Sequence, residues 1–480
     1  MQQAGSEYKV VRNIFCLALL VTAVVTMAHP VQALDVGFAS VDITPEVSDG
    51  SRVWIAGYGQ NRRAEGVHDP LYVRTVVLRD GDAKIALAAA DVVGLHYDTV
   101  KLIREQLPEF QYVLASATHN HEGPDTMGIW GPSPFQTGID RRYMERLIEA
   151  FTQAVKEADA AAVPVSVEYG TAQDDTLLRD SRLPHVYDGI LRVLKFTRTD
   201  GEGLAGILVQ WNCHPECMGG GNKQITADFP YAMIDTIRAE HDAPVTLFTG
   251  AVGGLMAPPR GLLKNDAGDE LREGDFAYTE AYGRAVGDLV LKALASTSPI
   301  KLTPFAISAR PIAVPIHNKL FQVASMAKLM PRQGRVWAGD LDKLGEPFRA
   351  ETKNEPPAAE SEVAYLRLGE LAVVGIPGEI YPELVYGQYQ DPVDPGADYP
   401  EASLEPSVVD LIPEDRFLLI GLANDELGYI IPQRQWDSEP PFAYGRDSDQ
   451  YGEENSIGYD AAPILMEALR RRVSEISTAE

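Results

Sequence analysis

Nine residues, Ala117-Thr118-His119-Asn120-His121-Glu122-Gly123-Pro124-Asp125, carry two imidazoles and two carboxylates directly after the apolar run Tyr112 to Ser116. Zinc takes imidazole nitrogen and carboxylate oxygen, and a catalytic zinc combines such ligands with a water whose pKa falls towards neutrality. A polar loop would use the same residue types, so spacing within the nonapeptide leaves both readings open. Other apolar runs end in metal-capable residues as well: "GILVQWNCH" in His214, "LAVVGIPGE" in Glu379, "FLLIGLANDELGY" in Asp425, Glu426 and Tyr429, and "KIALAAAD" in Asp91. His119, His214 and Glu379 would suffice for zinc. They lie far apart along the chain, so nothing local proves that they meet. A strand-end histidine that is merely hydrogen bonded, and a Glu379 that caps a helix, are the ordinary alternatives. Asp91, Asp125 and Asp228 could recruit a second metal, or could serve as caps and loop hydrogen-bond acceptors.

Such residues need a frame, and open α/β sheets supply one by gathering ligands at the carboxyl ends of their strands. Strand-like runs alternate with helical ones: "LYVRTVVLRD" and "KIALAAADVV" read as strands, "YDTVKLIREQL" as a helix and "YVLASA" as a strand. A long amphipathic helix is expected at about 140–160, followed by strands at "VPVSVEYG", "ILRVLKFTR" and "GILVQWNC". Next come a helix at "YAMIDTIRAEH", a strand at "VTLFTG", a helix near 278–295 and a closing helix near 459–477. The expected class is α/β, a mixed sheet core with flanking helices and the metal site at strand carboxyl ends. The segment from about Ser308 to Pro357 reads as less regular, and "DPVDPGADYPEASLEPSVVD" from Asp391 as an exposed insertion. No internal repeat or low-complexity tract is evident.

The chain has 480 residues with 45% hydrophobic composition, enough to bury a large core. Residues 1–33 read as a secretory signal peptide: Lys9 and Arg12 precede the apolar run Ile14 to Ala28, and Val31-Gln32-Ala33 offers a cleavage site. A membrane anchor is the competing reading, but the run is short against the roughly 20 residues of a spanning helix. Export, secreted or periplasmic, follows in either case, and no later stretch is apolar enough to span a bilayer. The formal charge is -27, and removing Glu7, Lys9 and Arg12, a net +1, leaves -28 for residues 34–480. That acidity argues against nucleic acid and anionic membrane surfaces as general partners. Cys213 and Cys217 flank His214-Pro215-Glu216. They either pair in an oxidising compartment, or Cys213 is a small core residue at a strand end.

Several segments resemble the neutral (non-lysosomal) ceramidases. "VGFASVDITP", the "GYG" at Gly57 and "GVHDPLYVRTVVL" look like that family's N-terminal strands. "ATHNHEGP" is similar to its Thr-His-Thr-His-Ser-Gly-Pro signature, "NCHPECM" to the segment of its second histidine, "GIPGEIY" to its Pro-Gly-Glu segment and "GLANDELGY" to the segment ending in its tyrosine. The resemblance implies one zinc held by His119, His214, Glu379 and Tyr429, with His121 beside the metal. It implies an arginine that helps hold the substrate amide, Arg182 or Arg179, with Arg182 preferred. The implied function is hydrolysis of an amide in a small-molecule or lipid substrate, ceramide-like, by metal-activated water. Departures are equally specific. Ala257 stands where the family has a serine important for activity, and Glu122 replaces the signature serine, making it a candidate general base. About 50 residues follow Tyr429, too few for the family's C-terminal immunoglobulin-like domain, so residues 34–480 read as a single catalytic domain. A zinc hydrolase of an unrelated small amide, ester or lactone, and a zinc-containing binding protein impaired in turnover, are the alternatives.

Overall fold

In the strand Ala83–Ala90, Ile85, Leu87 and Ala89 enter one buried cluster while Ala86, Ala88 and Ala90 enter another. A strand buried on both faces reads as a near-continuous apolar run, and most of the strand-like runs in the sequence are of this kind. These observations come from a computed structural model, which describes residues 34–478 apart from Asp49, Ser51, Leu255 and Asp266. The expected signal peptide, residues 1–33, lies outside the described residues.

The larger sheet has, in spatial order, strands Val245–Thr249, Leu204–Trp211, Ile190–Arg198, Val163–Gln173, Asp35–Asp42, Tyr72–Asp80, Ala83–Ala90 and Tyr112–Ala117. It is mixed: the first two strands pair parallel, the last two pair parallel, and the pairs between them are antiparallel. A second sheet contains Phe305–Pro315, Gly334–Trp337, Leu344–Pro347, Pro357–Leu368, Leu371–Gly375 and Arg416–Ile420, the last two parallel. The sheets face each other across one core, in which Val36, Val76 and Leu114 of the first share a cluster with Leu366, Val373 and Leu418 of the second.

Helices cover the outer faces. Arg141–Ala160 sets Leu147, Phe151 and Val155 at helical spacing against one half of the large sheet, and its N-cap Asp140 accepts from the Arg142 amide. Phe229–Glu240 and Phe276–Leu294 cover the other half, and Ala461–Ser477 covers the second sheet. The mixed α/β class and the expected helices are therefore present. The segment expected to be less regular is not: it holds Phe305–Pro315, which pairs antiparallel with Pro357–Leu368 over eleven positions. This strand pairs on one side only, and prolines such as Pro311 are tolerated at a sheet edge. The stretch 391–410, expected to be an exposed insertion, is mostly exposed or half-buried, but Ala397, Glu405, Ser407 and Val408 are buried and Val408–Leu411 is helical.

Two features bring distant strand ends together. The large sheet is curled, so that its edge strands Val245–Thr249 and Tyr112–Ala117 approach, and the Thr249 hydroxyl donates to the Thr118 carbonyl at 2.8 Å. The second sheet joins the same corner through Gly421 N to Thr249 O at 2.8 Å, Asn424 N to Ala115 O at 2.7 Å and a bridge between Ser116 and Ala423.

Candidate metal centre

His119 follows the strand Tyr112–Ala117 and His214 follows Leu204–Trp211, near opposite edges of the curled sheet. Glu379 follows Leu371–Gly375 and Tyr429 follows Arg416–Ile420, neighbouring parallel strands of the second sheet. A short parallel pairing then sets Glu379 directly opposite Tyr429. All four candidate ligands are buried, and the rings of His214 and Tyr429 lie 6.4 Å apart.

Ligand atoms of His119, His121 and His214 all lie within 4.8 Å of one another. His119 Nδ1 is 2.6 Å from the Val93 carbonyl and His214 Nδ1 is 2.8 Å from the Met256 carbonyl. A carbonyl accepts only, so each Nδ1 carries the proton and each Nε2 is directed inward, an arrangement usual behind metal-bound imidazoles. The two Nε2 atoms converge on Glu379 Oε2 at 3.5 and 2.8 Å. Burial pushes the Glu379 carboxyl up, but His119 and His214 outweigh it and hold the group well below the usual carboxylate range. Both ring nitrogens of buried His121 lack a hydrogen-bond partner. Burial, reinforced by the neighbouring His119 and His214, lowers its pKa well below the ordinary value and keeps it neutral. Orphaned imidazole nitrogens beside anchored ones and a carboxylate form a donor set that fits a divalent cation of the zinc type.

Glu122 does not join this convergence. Its Oε2 accepts from Arg62 Nη2 at 2.6 Å and from Asn222 Nδ2 at 2.7 Å. Arg62 Nη1 in turn donates to the carbonyls of His121 and Ala56 at 3.1 and 2.7 Å. Burial pushes the Glu122 carboxyl up to about 8, against the opposing pull of Arg62. Arg182 is also withdrawn: its guanidinium holds Glu453 at 2.7 and 2.5 Å and donates to the carbonyls of Gln435 and Tyr451. Arg179 pairs through its backbone with Ala257 and reaches Glu273 at 3.5 Å. Asp91 accepts from Arg74, Asp125 from four backbone amides and Asp228 from the amide of Phe229, so all three are engaged as structural acceptors. Cys213 and Cys217 are free and buried.

Three neighbours of the centre escaped sequence reasoning. Glu216 Oε2 lies 3.8 Å from His121 Nδ1, Tyr58 packs edge-on against the His121 ring at 5.1 Å, and Arg62 holds the backbone behind it. Glu216 sits two residues beyond His214, which was the one available signal; nothing local marks Tyr58 or Arg62. The centre opens into a cavity of about 380 Å³ whose lining includes Met127, Ile129, Trp130, Phe321 and Met330.

Fold and site together define a mixed α/β protein with a three-histidine, one-carboxylate centre at converging strand ends. No protein-family model matches the sequence, and no curated protein sequence matches it. Solved structures do share its fold. Neutral ceramidase from Pseudomonas aeruginosa superposes with a TM-score of 0.69 at 16% identity, over 93% of this chain and 75% of that one. A ceramidase complexed with C2 superposes with a TM-score of 0.65 at 15% identity, over 93% and 76%. The resemblance of scattered motifs to neutral ceramidases thus extends to the fold.

Proposed function

We propose that this chain is an exported zinc-dependent hydrolase that cleaves the amide bond of an N-acyl, ceramide-like substrate with activated water. One observation carries the reading: two backbone-anchored histidines and Glu379 converge beside His121, whose ring nitrogens are buried and unpartnered. His119, His214, Glu379 and Tyr429 would hold the metal, which when bound supplies a Lewis acid and lowers the pKa of water.

The chain's own residues divide the remaining work. His121 is neutral, so its Nε2 takes the proton of the attacking water and returns it to the departing amine. Glu216, facing Nδ1, steadies the imidazolium in between. Glu122 acts through Arg62, fixing the backbone of His121, and Arg182 acts through Glu453, fixing the segment from Tyr451 to Asn455 that walls the cavity. The apolar residues that line the cavity suit an acyl chain. That lining favours a linear lipid amide over a small polar amide or lactone.

Elemental analysis of the purified protein should find about one zinc per chain, and H119A should lose both the zinc and the hydrolysis of N-lauroyl amides by at least about a hundredfold. Retention of hydrolysis in metal-free H119A would overturn the mechanism. Ala257 favours a second reading, because it is buried beside the residue that anchors His214 and has no hydroxyl to offer. In that case the unmutated protein binds zinc and N-acyl amide but releases no amine.

A further inference from the structure

The hydrolase reading leaves the substrate's amide N–H without a partner, because Arg182, the arginine expected to hold the amide, holds Glu453 instead. Few of the polar side chains that line the cavity are free to take its place. Tyr58 donates to Glu216, the residues of the centre are committed to it, and Glu426 has Oε2 buried and Oε1 taken by the Gly428 amide at 2.8 Å. Tyr451 is 48% exposed and Glu454 is exposed, so both stay in contact with water. Asn455 is half-buried, and its carboxamide is hydrogen bonded to none of the described residues.

The backbone that carries this carboxamide is fixed from several directions. Asn455 N donates to Gly452 O at 3.0 Å, and Asn318 Nδ2 donates to the carbonyls of both neighbours, Glu454 at 2.8 Å and Ser456 at 2.9 Å. Ser456 bridges antiparallel to Gly428, and Ile457 N donates to Leu427 O at 3.0 Å. The approach is close: a Cβ at Gly428, which lies at φ +80, would stand 1.7 Å from Asn455 O. Gly428 immediately precedes Tyr429, itself paired with Glu379, so Asn455 lies beside the segment that carries the centre. An unpartnered carboxamide on a fixed backbone at a cavity wall is preorganised for a ligand.

We infer that Asn455 reads the scissile amide, its Oδ1 accepting the substrate N–H, and that it thereby selects amides over esters of the same shape. This rests on the amide-hydrolase reading and names the residue that makes the choice of bond. An amide entering the cavity gives up water at its N–H, and that donor is costly to leave unpaired. An ester offers only its alkoxy oxygen at the same position, a poor acceptor, so turning the carboxamide to present Nδ2 recovers little. A site that hydrogen-bonds one group of its substrate rejects the analogue lacking it for this reason. A nitrogen held by its hydrogen also keeps its developing lone pair free for the proton that His121 returns.

The test measures kcat/KM for N-butyl octanamide and butyl octanoate, which differ only in N–H against O, on the full chain, N455L and N455D. Leucine keeps the volume and removes both polar groups, whereas aspartate keeps an acceptor. N455L should lower the amide-to-ester ratio by about tenfold, the worth of one hydrogen bond, and N455D should retain the ratio. N455A, which removes the carboxamide without adding bulk, stands in for N455L if leucine prevents folding. An unchanged ratio in N455L, or an equal fall of the ratio in N455L and N455D, overturns the assignment. If the unmutated protein cleaves neither compound, the hydrolase reading has failed, and calorimetric titration with the same two compounds decides Asn455 separately. Tighter binding of the amide than of the ester, lost in N455L, supports it. Equal binding of the two by the unmutated protein, or a preference that survives in N455L, overturns it.

Discussion

At the scale of single residues, the centre depends on how closely the backbone can approach the His121 ring. Gly57 lies at φ +94, and a Cβ there would stand 2.4 Å from His121 Cγ. An alanine at this position meets both an unfavourable left-handed backbone and a collision that reaches the His121 backbone, with Cα 2.8 Å away. G57A should therefore displace the imidazole and cost about ten- to a hundredfold in kcat with zinc retained, the range seen when the support of a metal site is disturbed. Steady-state hydrolysis alongside zinc analysis measures this directly; an unaltered kcat would show that His121 carries no proton in the reaction. His119, itself at φ +66, and His121 could be picked from the sequence because two imidazoles in three residues after an apolar strand form a local pattern. Tyr58 and Arg62 could not, since their importance comes from packing against residues some sixty positions away.

At the scale of elements, the strand ends were legible because buried parallel strands leave continuous apolar runs, and a polar residue where such a run stops is conspicuous. Their convergence was not legible. It depends on the curl of the large sheet and on the short pairing of Glu379 with Tyr429, and neither has a local signature. Arg182 shows the same limit: "RDSRLP" identifies an arginine in a loop, but only the fold turns it towards Glu453, 271 positions on, instead of towards the cavity. Its guanidinium ties together Gln435, Tyr451 and Glu453, so it supports the cavity wall as a unit. R182M would leave the Glu453 carboxylate buried and unpaired, destabilising the protein by about 3 to 5 kcal/mol. Hydrogen exchange should accelerate at 435–437 and 451–455 while zinc content is unchanged. If exchange and stability are unaltered and KM alone rises, the guanidinium contacts substrate instead.

At the scale of the whole molecule, the net charge of -27 conceals carboxyls that the fold keeps protonated well above their ordinary range. Burial pushes Asp180 up to about 7 and Glu383 up to about 8, more than their hydrogen bonds pull them back. The unfolded chain releases both protons near pH 4, so between there and about pH 8 the folded protein binds more protons than the unfolded one. Stability then falls as pH rises, because the unfolding free energy follows the difference in bound protons. His96, lowered to about 4 by burial and then by Arg332, acts in the opposite direction. Its effect is complete once the pH passes the ordinary histidine value of about 6.5. From about pH 6.5 to about pH 8 the carboxyl contribution, to which Glu122 at about 8 adds, therefore stands clear of it, and the metal-free protein should lose on the order of 4 kcal/mol of stability. Denaturant titrations of the metal-stripped protein at the two ends of this window measure the loss, and the double substitution D180N with E383Q should remove roughly half of it, leaving the part that Glu122 contributes. A stability that rises across the same window would mean that these two carboxyls are ionised in the folded state, and that Asp180 and Glu383 have charged partners within reach.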